Sequence, residues 1–335
     1  LKRIIIAILS IFVLLLAGVG AYVFILLEQI PRAEVENVVP VDDPPIFPKE
    51  EQKKVQPNET EIPNGNQKDT ENNPPEEQQT EPDSKKSSSV INILLLGSDE
   101  HQDDMRGRSD SMMIATVDKS RGKLKLTSLM RDMYLPIPGR RDNRLNAAYA
   151  FGGASLVMRT INENFDMNLE QYVVVDFRAF EKIIDIVGGI EIEITASEYR
   201  ALRSSAGIDG YGLKTLSGRQ ALAYARLRSV GRDDFDRVDR QQKVITKLFE
   251  KVSTTSFLRL PGILSAILPY VRTNISTLEI MSIGTSVLGF EDKKIHRFRL
   301  PVEGTYNPAT IREMMVLVPD LAENTRLLHE FLYEE

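Results

Sequence analysis

The chain has no cysteine. Disulfides, thiolate metal sites and a cysteine nucleophile are therefore excluded, and packing alone must hold any core, which 335 residues with 42% hydrophobic content allow. Histidine is nearly as scarce: His101, His296 and His329 lie too far apart for a local zinc motif, so surface or core roles are expected of them. A basic face is missing too. Residues 28–89 carry 15 acidic and seven basic side chains, Lys2 and Arg3 are the only charges before them, and the whole chain is at −6, so residues 90–335 are formally neutral. That removes the footprint of a nucleic-acid binder, and any anion site has to arise from local clustering.

Charge is absent altogether from residues 4–27, an unbroken apolar run. At about 1.5 Å per residue, such a helix crosses a hydrocarbon core of roughly 30 Å. A cleaved signal peptide has a shorter apolar region, about 7–15 residues, ending in a small-residue site. Glu28-Gln29-Ile30-Pro31 offers no such site, so a retained transmembrane anchor is expected. Lys2 and Arg3 precede the run while Glu28, Glu34 and Glu36 follow it; the positive-inside rule makes residues 1–3 a cytoplasmic tail and places the rest outside the cell membrane. Ten of the 17 prolines fall in residues 28–89, with Phe47 the only aromatic there. Such a stretch cannot offset its ordering entropy and predicts a disordered extracytoplasmic tether, on the order of 45 Å end to end as a coil.

Within residues 90–335 short β-rich runs alternate with helical patterns, which predicts an α/β domain with a central mixed sheet flanked by helices. Residues 91–96, 112–117, 124–129, 172–175 and 190–194 read as strands. Residues 154–164, 177–187, 219–225 and 237–251 read as helices, the last with Val238, Gln242, Ile245 and Phe249 on one stripe. Residues 253–335 are expected to be largely helical, punctuated by Leu260-Pro261 and Leu268-Pro269, and no internal repeat is present.

Three places could carry chemistry. The first strand ends in Gly97-Ser98-Asp99, and Arg108-Ser109-Asp110 precedes the next. Two aspartates at strand ends suit Mg²⁺, which takes one or two protein carboxylates alongside phosphate oxygens; they equally suit ordinary turns. Arg131-Asp132 closes a third strand, where Arg131 could fork onto phosphate oxygens with Asp132 steadying it, or the two could form a surface ion pair. The densest block runs from Arg226 and Arg228, through Asp233, Asp234 and Asp236, to Arg237, Asp239, Arg240 and Gln241. Arg237 and Gln241 share a helical face, and a helix starting near Asp236 points its amides at any nearby phosphate. Convergent arginines suit a pyrophosphate; a solvated face of Asp–Arg pairs fits the same residues.

Order decides between these readings. Asn92-Ile-Leu-Leu-Leu-Gly-Ser-Asp99, Arg108-Ser-Asp110, Arg131-Asp132, Asn146-Ala-Ala-Tyr-Ala150 with Gly152-Gly153, Asp185-Ile-Val-Gly-Gly189 and the block from Arg226 to Gln241 follow one another as in LytR-CpsA-Psr proteins. The resemblance covers residues 90–252, behind an amino-terminal anchor as in that family. It implies an envelope enzyme that moves a glycopolymer, such as wall teichoic acid or capsule, from an undecaprenyl-pyrophosphate carrier onto peptidoglycan as a phosphodiester. Position by position, Asp99 and Asp110 match the family's magnesium-associated aspartates, with Mn²⁺ a substitute for Mg²⁺. Arg108, Arg131, Arg226, Arg228, Arg237 and Gln241 match its phosphate-binding positions, and Arg240 is added to them. Asp234 matches a carboxylate that assists catalysis, together with Arg131 and Arg237. Many relatives read Ser-Ile-Pro-Arg-Asp where this chain has Ser128-Leu129-Met130-Arg131-Asp132, a departure that touches the backbone before the two charged groups. Residues 154–161 and 180–187 are expected to wall the family's lipid tunnel.

Phosphoryl transfer asks a protein mainly for positioning and charge neutralisation, which arginines, Mg²⁺ and one carboxylate supply. Two other functions use the same residues. A membrane-bound regulator of envelope genes would need a DNA-binding segment in the cytoplasm, for which residues 1–3 are too short. A lipid-pyrophosphate hydrolase would differ only in using water as the acceptor.

Overall fold

The computed structural model describes residues 28, 89–98, 109–231, 234–254, 263 and 266–334. The expected anchor at 4–27 and all but the ends of the expected tether lie outside the described residues, as do Asp99, Arg108 and Asp233. Among the described residues no helix is long and apolar enough to cross a membrane.

In chain order the domain forms β1 (Val90–Ser98), β2 (Ser109–Asp118), β3 (Lys123–Leu129), β4 (Tyr134–Leu135), β5 (Asn143–Arg144), α1 (Leu145–Phe165), β6 (Gln171–Asp176), α2 (Phe177–Ile186), β7 (Ile190–Ile194), α3 (Ala196–Leu202), β8 (Gly212–Leu216), α4 (Gly218–Ala225), α5 (Asp234–Ser253), β9 (Val271–Thr273), α6 (Thr277–Leu288), β10 (Ile295–Leu300), β11 (Tyr306–Ile311), β12 (Met314–Pro319) and α7 (Leu321–His329). Six strands make one sheet in the order β10-β3-β2-β1-β6-β9. The pairs β10/β3 and β1/β6 are parallel and the other neighbours antiparallel, so the sheet is mixed as expected.

The run Ile-Asn-Ile-Leu-Leu-Leu in β1 has little polar alternation because both faces of this central strand are covered by protein. On one face Leu94, Leu96, Met112 and Ile114 pack against Leu156 and Ile161 of α1 and against Leu328 and Phe331 near the carboxyl end. A second core forms where β7 pairs with β8 as a separate ribbon: Ile190, Ile192 and Ile194 alternate inward, as a half-buried strand should, onto Ala221 and Tyr224 of α4 and Val244 of α5.

The described part of residues 253–335 mixes helix with strand, where helix alone was expected to dominate. They contribute β9, β10 and the β11/β12 hairpin, and β10 extends the main sheet beside β3. The reason is visible in Ile295-His-Arg-Phe-Arg-Leu300: six residues are too few to display a helical period, and an edge strand carries charge on its open side. The helix expected at 154–164 lies within α1, which begins at Leu145. Gly152 (φ −165°, ψ 34°) and Gly153 (φ 57°, ψ −156°) are not helical, so α1 is two helical segments joined at a kink, and the expected helix at 154–164 is the second of them.

Candidate functional site: an arginine and carboxylate cluster at the end of an apolar cavity

Helix α5 organises the site. Asp234 and Asp236 occupy its first turn, where carboxylates favour the helix dipole, and Asp234, Arg237 and Gln241 follow at successive turns. The Asp234 carboxylate accepts from Arg237 Nη2 at 2.8 Å, lies 3.4 Å from Arg131 Nε and reaches Arg228 Nε at 4.0 Å. Arg131 Nη1 donates in turn to Asp110 Oδ1 at 2.6 Å. One cluster therefore joins the ends of β2 and β3, the loop after α4 and the start of α5. Arg237 is only 2% exposed, yet its Nε has no hydrogen-bond partner, and the same holds for Nε of Arg131 and of Arg144. Arg131 Nε still lies within 3.5 Å of the Asp132 and Asp234 carboxylates, so the Nε of Arg237 is the costlier donor to leave without a hydrogen bond.

The charges act on one another. Burial pushes the Asp234 carboxyl above its ordinary value of 3.8, against the pull of Arg237 and Arg131 and with the help of Asp132. Burial alone would lower Arg131, but the carboxylates of Asp234, Asp132 and Asp110 outweigh it and hold its guanidinium above the ordinary value. Arg237 is lowered by burial first and then by the positive charge of Arg131. Arg131, Arg228 and Arg237 thus all converge on the single Asp234 carboxylate. Among the described residues no group of three or more histidine, aspartate or glutamate side chains converges to hold a metal.

Beyond the cluster, between the sheet and helices α2, α4 and α5, lies a cavity of about 160 Å³. Leu95, Val173, Phe177, Ile183, Leu222 and Leu248 line it, and among the described residues its only charged lining residue is Arg226, accompanied by Gln241. Arg226 lies over the Phe177 ring at 4.5 Å, which holds the guanidinium at the wall. Gly97 lines the same space: a Cβ there would meet the Ser111 Cβ at 3.1 Å. Of the two helices expected to wall an apolar tunnel, the second does so through Phe180 and Ile183. The first, residues 154–161, packs on the opposite face of the sheet with Leu94 and Ile114. Both are equally apolar, and only the topology tells the faces apart.

Several motif residues prove to be scaffolding. Asp185 accepts from the Gly218 amide at 2.7 Å, and a Cβ on Gly218 would fall 2.0 Å from the Glu181 carbonyl oxygen, so this contact seats α4 and thereby Arg226. The Asn146 amide donates to the Arg131 carbonyl at 3.2 Å, and the Leu145 amide to that of Met133 at 2.8 Å, fixing the turn that carries Arg131 and Asp132. Met130, at the position where many relatives carry proline, donates its amide to the Leu300 carbonyl at 2.9 Å, a bond that proline cannot make. Arg240 stands apart from the cluster. It is 6% exposed and donates to Glu198 Oε1 at 2.9 Å and to the carbonyls of Leu227 and Val230 at 2.8 and 2.7 Å, so its guanidinium is used in bracing the 227–230 loop.

Sequence reasoning overlooked Arg144. It donates to Asp132 Oδ1 at 3.1 Å, closer than Asp132 comes to Arg131 at 3.5 Å, so Asp132 steadies Arg144 more than Arg131. Its place directly before Leu145-Asn146-Ala-Ala-Tyr was the available signal.

A profile of the LytR_cpsA_psr family matches residues 56–328. Regulatory protein MsrR of Staphylococcus aureus (strain COL) is 34% identical over 247 residues, covering 72% of this chain and 74% of its own. Polyisoprenyl-teichoic acid–peptidoglycan teichoic acid transferase TagU of Enterococcus faecalis is 37% identical over 195 residues, 55% of this chain and 61% of its own. Among solved structures, the LytR-CPS2A-psr family protein YwtF (TagT) of Bacillus subtilis with bound octaprenyl pyrophosphate lipid shares the fold, with a TM-score of 0.58 at 21% identity over 73% of this chain and 91% of that one. A family match over most of the described domain, carried on the same strands and helices that build the cluster and the cavity, leaves one assignment: the chain belongs to the LytR_cpsA_psr family.

Proposed function

We propose that this protein transfers a glycopolymer from a polyprenyl-pyrophosphate carrier onto peptidoglycan, forming a phosphodiester. The observation that carries the reading is α5 itself, which bears Asp234 and Arg237 in the cluster and, one turn on, Gln241, Val244, Ile245 and Leu248 along the apolar cavity. A ligand with a long hydrocarbon tail and a doubly charged head fits that succession. Each buried methylene is worth about 0.8 kcal/mol, and the head would complete the unpartnered guanidinium donors. TagU is named for this transfer and TagT is seen with a polyprenyl pyrophosphate.

In this reading Arg131, Arg226, Arg228, Arg237 and Gln241, with Arg108, hold the pyrophosphate oxygens. A sugar hydroxyl of peptidoglycan attacks the phosphorus that bears the glycopolymer, the bond from that phosphorus to the bridging oxygen breaks, and polyprenyl phosphate leaves. Asp234 takes the proton of the attacking hydroxyl; a raised carboxyl pKa makes it a better base than an ordinary aspartate. Asp110 uses Oδ1 on Arg131, and a single strand-end carboxylate fits Mg²⁺ only as one ligand among phosphate oxygens. Asp110, with Asp99, would hold Mg²⁺ or Mn²⁺ there, and the ion when bound supplies further positive charge to the pyrophosphate. Residues 4–27 would anchor the chain with the domain outside the cell membrane, beside both substrates.

The test is incubation of the protein with a synthetic lipid-pyrophosphate glycan and peptidoglycan oligomers, followed by mass spectrometry. A phosphodiester-linked glycan–peptidoglycan product is expected. Release of free glycan phosphate without that product would replace transfer with hydrolysis.

A further inference from the structure

A second recess opens on the other side of Asp234. It has a volume of about 470 Å³ and is bounded by Asp132, Asp234 and Phe235 on one side and by Pro308, Thr310 and Met315 of the β11/β12 hairpin on the other. The hairpin is fastened to the catalytic turn itself. The Leu317 amide donates to the Asp132 carbonyl at 2.9 Å, and Arg312 Nη2 donates to the Tyr134 hydroxyl at 3.0 Å. Phe235, the residue after Asp234, stacks on Tyr306 of the hairpin with ring centroids 5.9 Å apart. The wall of the recess is thus held in fixed register with the carboxylate. Across it, Thr310 and Met315 are register partners, both exposed, with Met315 81% so.

We infer that this groove binds the neutral sugar strand of the acceptor and delivers its hydroxyl to Asp234. The inference rests on the transferase reading and deepens it. Three features select the occupant. No cation lines the groove among the described residues, so a phosphate-rich polymer finds no counter-charge there, in contrast to the arginine side of Asp234. Its polar groups are the acceptor oxygens of Asp132 and Asp234 and the hydroxyl of Thr310, which suit sugar hydroxyl donors. Both carboxylates are matched by arginines, Asp132 by Arg144 and Asp234 by Arg237, so the groove does not select a cationic peptide either. The remaining wall is apolar and partly aromatic, complementary to the C–H faces of pyranose rings. Asp234 belongs to both the cluster and the groove: it meets Arg237 on one side and the groove on the other. A hydroxyl held in the groove is thereby delivered beside the arginine-bound pyrophosphate, where in-line displacement has it attack the phosphorus opposite the departing bridging oxygen.

The experiment uses the full chain in detergent micelles, with Thr310→Trp and Met315→Trp to fill the groove from two exposed positions. Saturation curves are measured separately for a lipid-pyrophosphate glycan donor and for a peptidoglycan oligomer freed of its stem peptides. The expected result is a rise of roughly tenfold or more in KM for the oligomer, with KM for the donor unchanged. An unchanged oligomer KM in both folded variants would overturn the groove, as would a rise in donor KM instead, which would give the groove to the glycopolymer. Transfer by the wild type to peptide-bearing oligomers alone would overturn it in favour of peptide recognition. If the wild type binds donor but transfers to no acceptor, the transferase reading itself fails.

Discussion

Arg131 and Asp234 stand 103 residues apart in the chain and 3.4 Å apart in the fold. The pair is bridged on one side to Asp110 and on the other to Arg237, so each guanidinium shares a carboxylate rather than owning one. Such a shared arrangement can open toward a ligand without leaving any group bare, and it sets the order of the mutational effects expected.

Arg237→Ala should weaken binding of a lipid pyrophosphate more than Arg228→Ala. Arg237 is almost wholly buried with an unpartnered Nε, whereas the Arg228 side chain is 46% exposed and screened by water. A charge-assisted contact is worth about 1.5–3 kcal/mol when desolvated and less at the surface. Calorimetric titration of both variants checks the ranking; equal losses would contradict it.

Asp234→Asn should slow transfer while sparing donor affinity, and its pH profile should lose a limb. Because burial raises the Asp234 carboxyl above 3.8, the wild-type rate should fall as pH drops through that raised value, and the asparagine variant should show no such fall. The stability sign is opposite. A raised folded pKa favours the protonated form, so stability is lost as pH rises through it; the variant should be at least as stable as wild type at neutral pH, with the difference vanishing below 3.8. Urea titration at both pH values measures this.

Glu198→Ala and Arg240→Ala should each cost about 3–5 kcal/mol of folding stability, because each strands a buried charge. Burial opposes ionisation of Glu198, but bonds from Thr195 and Arg240 more than compensate and hold it below its ordinary 4.5, so its contribution should persist above pH 4.5 and fade as pH falls through the lower folded value. Donor affinity of the folded fraction should be unchanged. A selective loss of donor binding without loss of stability would return Arg240 to the phosphate-binding set.

Leu222→Trp should flatten the dependence of binding on prenyl length. In the wild type, affinity should climb as isoprene units are added until the cavity is full. Binding measured across a ladder of prenyl pyrophosphates separates the two proteins, and a ladder that is flat in the wild type would refute the cavity as the tail's site.

Mg²⁺ should bind weakly to the empty domain and more tightly with lipid pyrophosphate present, since Asp110 already gives Oδ1 to Arg131. Asp110→Ala should abolish the enhancement. Titration calorimetry with and without the lipid reads this directly.

The sequence was legible where local pattern and chemistry coincide. The apolar runs of β1, β2 and β3 gave three strands of the central sheet, and the spacing of Arg237 and Gln241 gave one face of α5. The carboxyl-terminal strands were not legible, because β10 becomes a strand only by pairing with β3, some 170 residues earlier. Arg240 illustrates the same limit at a single residue. It lies among the site arginines in sequence, and only the position of Glu198, 42 residues away, shows that its charge is used elsewhere. The apolar stretches of α1 and α2 could not be assigned to faces of the sheet, for side-chain character alone does not encode which face a crossover will cover.

Residues 331–333 are bolted to β1 and β3. Lys125 in β3, buried at 3% exposure, donates to the carbonyls of Phe331 and Leu332, and Asn92 in β1 donates to the Tyr333 hydroxyl at 3.1 Å across 241 residues. Until residues 331–333 dock, the buried Lys125 ammonium lacks these two acceptors and the face covered by α1 is only partly closed. Closure of so long a loop comes late and cannot be rehearsed by the growing chain. The central strands and residues 331–333 should therefore lose their structure together, as one cooperative unit, when either is disturbed.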